Sequence, residues 1–326
     1  MPQSPFSHIA VLGAGAWGTA LALAANTAGR RTTLWVREPD VLESLRGGGE
    51  NRFLPGVTLP TDLAVTGDLV QAAQADALLL VVPAQVLHGF ADSLRALIAP
   101  GKPLVICAKG IEKGTGKLVT EVLAEAAPEA APAILSGPSF ARDVARGLPT
   151  AVTIAAKGEL AAQLQAALGS ATFRPYASDD LTGVALGGAA KNVYAIACGV
   201  VEGMGLGENA RAALLARSFA ELARLGEALG ARPETLMGLS GLGDLVLTAT
   251  SKSSRNFSFG AALGAGTAPA GALAEGVDTA PALVARAKAV GVEMPIAEAM
   301  ADLLSGALPI GEAMMRLMSR PLKAEA

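Results

Sequence analysis

The 326-residue chain is 51% hydrophobic but only 4% aromatic, and its 26 Lys/Arg against 29 Asp/Glu leave a net charge of −3. That length exceeds a typical single core and favours two domains. The slight acidity gives no general attraction for nucleic acid or an anionic membrane, so any anion binding must be local.

Met1–Ser7 lacks the basic start and apolar middle of a signal peptide, which makes the cytoplasm the expected compartment. An apolar run, Ile9–Leu12, then leads into Gly13-Ala14-Gly15-Ala16-Trp17-Gly18 and the helix-forming Thr19–Ala25. Strand, glycine turn and helix start in this order suit a dinucleotide. Gly13 allows the tight turn, Gly15 lets a pyrophosphate approach bare backbone, and Gly18 lets helix and strand pack closely. A glycine turn without a ligand is the alternative, and the flanking pattern disfavours it.

Arg31–Val36 is expected as the second strand, ending at Arg37-Glu38, about 20 residues beyond the glycines, where such folds read the adenosine ribose. A carboxylate would repel a 2′-phosphate and an arginine would attract it. Arg37 has the better register, so NADP(H) is favoured over NAD(H), with a solvated loop charge as the alternative. Ala77–Val82 and Leu104–Ala108 are nearly continuous apolar runs, the mark of parallel strands covered on both faces. Lys109 should emerge at the carboxyl edge of that sheet, where open α/β folds bind ligands. Ala133–Ser136 and Thr150–Ala155 extend the sheet, with Gly137 and Ser139 in the turn between them.

From Asp179 the texture becomes alanine-rich with helical spacing, which divides the chain into 1–178 and 179–326. Helices are expected from Asp179-Asp180 to Met204, Glu208 to Leu229, Arg255 to Leu263, Ala280 to Val290 and Ile296 to Leu304. Gly264–Gly271 forms a connection and Lys323–Ala326 a frayed tail. The fold class is therefore an α/β Rossmann-type, doubly wound, mainly parallel sheet followed by an all-α region. No apolar run reaches the roughly 18 residues of a membrane span, so no stable membrane insertion is expected. Cys107 and Cys198 suit a core better than a disulfide. His8 and His88 are expected at the surface or a strand edge, with no metal site.

Three blocks in the second half stand out. Gly187, Gly188, Lys191 and Ala195 share one helical face, and adjacent glycines weaken a helix, so a ligand or another element should approach there. A lysine in such a crevice loses hydration, its pKa falls, and it can act as a general acid or base. Helix packing around a snorkelling lysine is the alternative. Asp244 lies among apolar residues and needs a partner, either that lysine or free amides at a helix start. Ser253-Ser254-Arg255-Asn256 has the form of a capped helix start bearing a guanidinium, which suits a phosphate; a capped helix with an exposed arginine is the alternative.

Taken in order, GAGAWGTALA, AKGIE, LSGPSFA, GLPTAV, GGAAKNVYAIA, GLGDLVLT and SSRN resemble the NAD(P)-dependent glycerol-3-phosphate dehydrogenase family, in its bacterial-type soluble form, from about Ile9 to Met318. The resemblance implies reversible, NAD(P)H-dependent reduction of dihydroxyacetone phosphate to sn-glycerol 3-phosphate, supplying glycerophospholipid synthesis, and a homodimer. It also implies that Lys191 is the acid/base, with Lys109 and Asp244 beside it. Lys109, Gly137, Ser139, Lys191, Asp244, Ser254, Arg255 and Asn256 would contact substrate. Ala16, Trp17, Arg37, Lys109, Ala141, Arg255 and Glu275 would contact cofactor. Phe257 stands where relatives often carry another arginine, and Leu273-Ala274-Glu275-Gly276 replaces a valine-rich lead. Two rivals are a β-hydroxyacid or phosphogluconate-type dehydrogenase and a catalytically silent dinucleotide sensor. The first usually has an asparagine four residues after its lysine, where this chain has Ala195.

Overall fold

The structure is a computed structural model that describes residues 6–268 and 274–318. The expected tail at Lys323–Ala326, Leu273, the end of the Gly264–Gly271 connection and residues 1–5 lie outside the described residues. Among the described residues eight strands form one sheet: β1 (His8–Leu12), β2 (Arg31–Trp35), β3 (Ala64–Thr66), β4 (Ala77–Leu80), β5 (Pro103–Ile106), β6 (Ala131–Ser136), β7 (Thr150–Ala156) and β8 (Phe173–Ser178). Their order is β3-β2-β1-β4-β5-β6-β7-β8. All neighbours run parallel except β6 and β7, which are antiparallel. The helices interleaved with them are α1 (Ala16–Thr27), α2 (Pro39–Arg46), α3 (Leu69–Ala73), α4 (Leu87–Leu94), α5 (Val119–Ala126), α6 (Ala141–Ala145) and α7 (Leu160–Leu168).

The apolar runs form the inner strands for the reason their composition gives. β1, β4 and β5 are buried at every position, so both faces need hydrophobic side chains. Chain order reverses between β1 and β4, and such a switch point opens a crevice beyond the carboxyl ends of the strands. Strands β3 and β8 are additions to the sequence expectation. The first is three residues long, and the second, Phe-Arg-Pro-Tyr-Ala-Ser, is an edge strand that buries Phe173 and Pro175 while exposing Arg174 and Tyr176. Proline is tolerated there because an edge leaves ladder positions unused. His8 corrects the expectation of a surface or edge residue: it is 8% exposed at the start of the interior strand β1, with Nε2 2.9 Å from Thr33 Oγ1. His88 is exposed, and Cys107 and Cys198 are buried and unpaired.

Beyond Ser178 the described elements are helical: α8 (Leu181–Gly203), α9 (Gly207–Ala228), α10 (Pro233–Met237), α11 (Asp244–Thr250), α12 (Arg255–Gly264), α13 (Glu275–Ala289), α14 (Pro295–Leu304) and α15 (Ile310–Met318). Asp180 caps α8 by accepting from the Gly183 amide at 2.8 Å. The expectation that no segment is long and apolar enough to span a bilayer needs correction. The 23 residues of α8 meet that test with a mean hydropathy of 1.5, yet the qualifying window is 100% buried within the protein. Helices α9, α11, α12 and α13 pack around it. Helix α13 starts at Glu275, five residues earlier than expected, and carries Pro281 inside it. Proline normally marks a first turn, but burial of Gly276, Thr279 and Ala280 extends the helix upstream.

Candidate active site

The glycine turn sits at the switch point, between β1 and α1. Gly13 has φ +122°, and a side chain there would collide with the Val81 carbonyl. A side chain on Gly18 would collide with the Gly13 carbonyl, which is the close packing expected of the third glycine. Gly15 differs, because a Cβ there would meet no atom within 4 Å. Packing among the described residues does not require glycine at that position, and the open space leaves its backbone accessible. Gly15 is also the N-cap of α1 and makes no side-chain cap, so the first amides of the helix are available to an anion. Trp17 Nε1 is a buried donor without a partner among the described residues. These features fit a dinucleotide. Ala141 opens α6, which packs on α1. Arg37 lies beyond β2 with its side chain 74% exposed, and it bonds Glu38 Oε1 at 2.8 Å rather than any group of the lysine cluster.

Lys109 follows β5 and turns toward the helical half. Its Nζ donates to the Gly137 carbonyl at 3.1 Å and to Asp244 Oδ2 at 2.6 Å. From α8, Lys191 Nζ donates to the other carboxylate oxygen, Oδ1, at 2.7 Å and to Thr248 Oγ1 at 2.9 Å. Asp244 is 1% exposed, at the first position of α11, reached through the π-turn Leu239–Gly243. Of the two sequence readings of this aspartate, the lysine partner is the one found: it stands in the first turn of α11, but its carboxylate accepts from Lys109, Lys191 and Thr248 rather than from helix-start amides. The adjacent glycines of α8 serve close approach. A Cβ on Gly187 would lie 2.6 Å from the Ser240 carbonyl, and one on Gly188 would lie 2.7 Å from Ser136 Oγ and 3.5 Å from Lys109 Cγ. The crevice predicted around Lys191 is thus filled on this flank by protein.

A second set of bonds joins the neighbouring helix starts. Asn256 Nδ2 donates to Asn192 Oδ1 at 2.9 Å, and Asn256 Oδ1 accepts from the Gly276 amide at 3.0 Å. Asn192 Nδ2 lies 3.4 Å from Glu275 Oε2, and Arg255 lies 3.7 Å from Glu275 Oε1. Ser254 caps α12 through the Phe257 amide at 3.2 Å, which brings Arg255 to the helix start as the sequence suggested. Phe257 is 1% exposed in the core, so this position presents no charge to the site. Ser139 Oγ folds back on the Gly137 carbonyl at 2.9 Å. Asn192 and Thr248 are members of the constellation to which the sequence assigned no role. Their signal was weak: each is a polar residue within one turn of a buried charge.

The electrostatics follow from burial. Loss of water lowers the Lys191 pKa to about 8; Asp244 opposes the shift and Lys109 adds to it. Burial alone would raise the Asp244 pKa, but the two ammonium groups bonded to it hold it below the ordinary carboxylate value. With both lysines bonded to Asp244 as ammonium groups, the cluster carries two positive charges and one negative. Its surplus positive charge suits an anionic ligand or an oxyanion that forms during reaction. Each ammonium has three N–H donors and spends two of them on protein.

Comparison with known proteins gives consistent matches along the chain. Residues 8–162 match the family model described as the N-terminus of NAD-dependent glycerol-3-phosphate dehydrogenase, and residues 180–315 match the model of its C-terminus. A Bradyrhizobium protein named glycerol-3-phosphate dehydrogenase (NAD(P)+) is 62% identical over 322 residues, covering 98% of this chain and 99% of its own. One of the same name from Parvibaculum lavamentivorans is 56% identical over 328 residues, covering 98% of both. The crystal structure of glycerol-3-phosphate dehydrogenase from Coxiella burnetii superposes with a TM-score of 0.91 at 38% identity, covering 97% of this chain and 99% of that one.

Proposed function

The chain belongs to the NAD-dependent glycerol-3-phosphate dehydrogenase family, and from that premise we propose that the Lys109–Asp244–Lys191 cluster is where it converts dihydroxyacetone phosphate to sn-glycerol 3-phosphate. The enzyme is an NAD(P)-dependent oxidoreductase, and phospholipid supply is the usual role of its reaction. The observation that carries the site assignment is the sharing of one buried carboxylate by two ammonium groups, at 2.6 and 2.7 Å.

When bound, the reduced nicotinamide supplies the hydride. Lys191 uses its uncommitted N–H to protonate the oxygen on which negative charge develops, and Asp244 and Thr248 fix its direction. Lys109 offers its own third N–H from the other side of Asp244 and holds the same polar end of the substrate. Arg255, Asn256 and the start of α12 hold the phosphate. The Ser254 hydroxyl accepts from Phe257 and keeps its proton for that anion, and the Gly137–Ser139 turn closes the site near Lys109. Binding energy from the phosphate is thereby spent on aligning the carbonyl. Gly13, Gly15, Ala16, Trp17, Gly18, Arg37, Ala141 and Glu275 form the cofactor side, and Arg255 and Lys109 border both ligands.

The same proposal extends to finer points. The exposed Arg37 guanidinium supports NADP(H) over NAD(H). The chain divides at 178/179 into nucleotide and substrate domains, works in the cytoplasm as a homodimer, and does not insert stably in membranes, because protein already covers α8. An absorbance assay at 340 nm with dihydroxyacetone phosphate and either NADPH or NADH tests the reading. Turnover is expected with a lower Michaelis constant for NADPH. No oxidation of either nucleotide would refute the reaction, and tighter binding of NADH would refute the preference alone.

A further inference from the structure

Asn51 lies in the connection between α2 and β3, far in sequence from the glycine turn, and is 0% exposed. Its Nδ2 donates to the Ala14 carbonyl at 2.8 Å and to Thr19 Oγ1 at 2.8 Å, and its Oδ1 accepts from the Phe53 amide at 2.9 Å. Thr19 passes the interaction on. Having accepted from Asn51, its hydroxyl donates to the Gly15 carbonyl at 3.0 Å, where the Thr19 amide also donates at 3.0 Å.

A trans peptide unit points its carbonyl and the following N–H in opposite directions. Holding the Ala14 carbonyl toward Asn51 therefore turns the Gly15 N–H away from that loop. Holding the Gly15 carbonyl toward Thr19 does the same to the Ala16 N–H. These two groups form the uncapped start of α1, beside the space left open at Gly15. The next residue, Arg52, pairs with Asp40 in the first turn of α2 and lies 4.9 Å over the Phe53 ring, which ties the loop to α2 as well.

We propose that Asn51 is a positioning residue for the pyrophosphate of the dinucleotide, aiming the Gly15 and Ala16 amides through Ala14 and Thr19. This rests on the glycine turn being the cofactor site. The chemistry requires a carboxamide, because both Nδ2 donors are needed. A carboxylate would face the Ala14 carbonyl and add negative charge behind an anion site.

Calorimetric titration with ADP-ribose, which has the pyrophosphate, and with adenosine 2′-monophosphate, which lacks it, separates the possibilities. Asn51→Ala should weaken ADP-ribose by about tenfold and Asn51→Asp by more, with adenosine 2′-monophosphate changed by less than about twofold. In steady state the Asn51→Ala change should fall on the Michaelis constant for the nucleotide rather than on kcat. Thr19→Val should follow Asn51→Ala, whereas Thr19→Ser, which keeps the hydroxyl, should restore binding; this pair decides the matter if Asn51→Ala does not fold. Unchanged ADP-ribose affinity in Asn51→Ala, or equal losses for both ligands, would overturn the inference. Failure of the wild type to bind ADP-ribose would instead remove the cofactor reading beneath it.

Discussion

Replacing Asp244 by asparagine keeps the side-chain shape and deletes the charge between two ammonium groups. The wild-type carboxylate is 1% exposed and accepts from Lys109 at 2.6 Å and Lys191 at 2.7 Å. Asparagine retains one acceptor oxygen, so one lysine would face an NH2 group, donor against donor. Removing one member of a buried ion pair costs about 3–5 kcal/mol, because the remaining charge stays buried and unpaired. With an unfolding entropy of about 2.1 cal/mol/K per residue, a chain of 326 residues shifts by about 1.5 °C per kcal/mol, so the midpoint should fall by roughly 4–7 °C at pH 7. The Lys191 pKa, already about 8, should drop further once its opposing anion is gone, and the alkaline limb of ketone reduction should move down with it. Calorimetry and a pH series of kcat/KM for dihydroxyacetone phosphate measure both effects. A midpoint within 1 °C of wild type with an unmoved alkaline limb would refute the claim that this carboxylate holds the two lysines.

Further predictions follow from the same charges. With Lys191 titrating near pH 8, kcat/KM for ketone reduction should fall as pH rises through about 8, and that for alcohol oxidation should rise, since the first needs the ammonium and the second the amine. Two limbs of the same sign would contradict this. Arg255→Leu should raise the Michaelis constant for dihydroxyacetone phosphate by about tenfold or more, through loss of a charge-assisted phosphate contact; an unchanged constant would remove Arg255 from the phosphate site. Glu221, 3% exposed, accepts from the Ile296 and Ala297 amides at the start of α14 and lies 3.4 Å from the Tyr194 hydroxyl. Burial raises its pKa to about 7 despite those donors. The folded state then binds this proton more tightly than the unfolded state. Its stabilisation is complete below about pH 4.5 and is lost as pH rises through about 7. Glu221→Gln should therefore reduce the stability difference between pH 4.5 and pH 8 by up to about 3 kcal/mol in urea unfolding; an unaltered difference would show that Glu221 does not titrate in this range.

The sequence disclosed those features that local chemistry enforces. Buried strands such as Ala77–Leu80 must be apolar, and the turn at Gly13 and Gly18 must be glycine because carbonyls occupy the space of a side chain. Lys191 and Asp244 were conspicuous as charges in apolar surroundings. The direction of β7 was hidden, because an apolar run has the same composition whichever way it runs. Strand β8 was hidden by alternation and Pro175, and the start of α13 by Pro281, whose local preference yields to packing against α8. Asn51, Asn192 and Thr248 act across 32 to 64 positions of chain, through partners that no local pattern can specify.

The most direct test of the account is single-turnover reduction of dihydroxyacetone phosphate by enzyme saturated with reduced nucleotide, wild type against Lys191→Ala. Loss of a positioned acid should slow the step by about 10²–10⁴-fold while nucleotide affinity stays near wild type. A Lys191→Ala enzyme that oxidises the nucleotide at close to the wild-type rate would contradict the central claim.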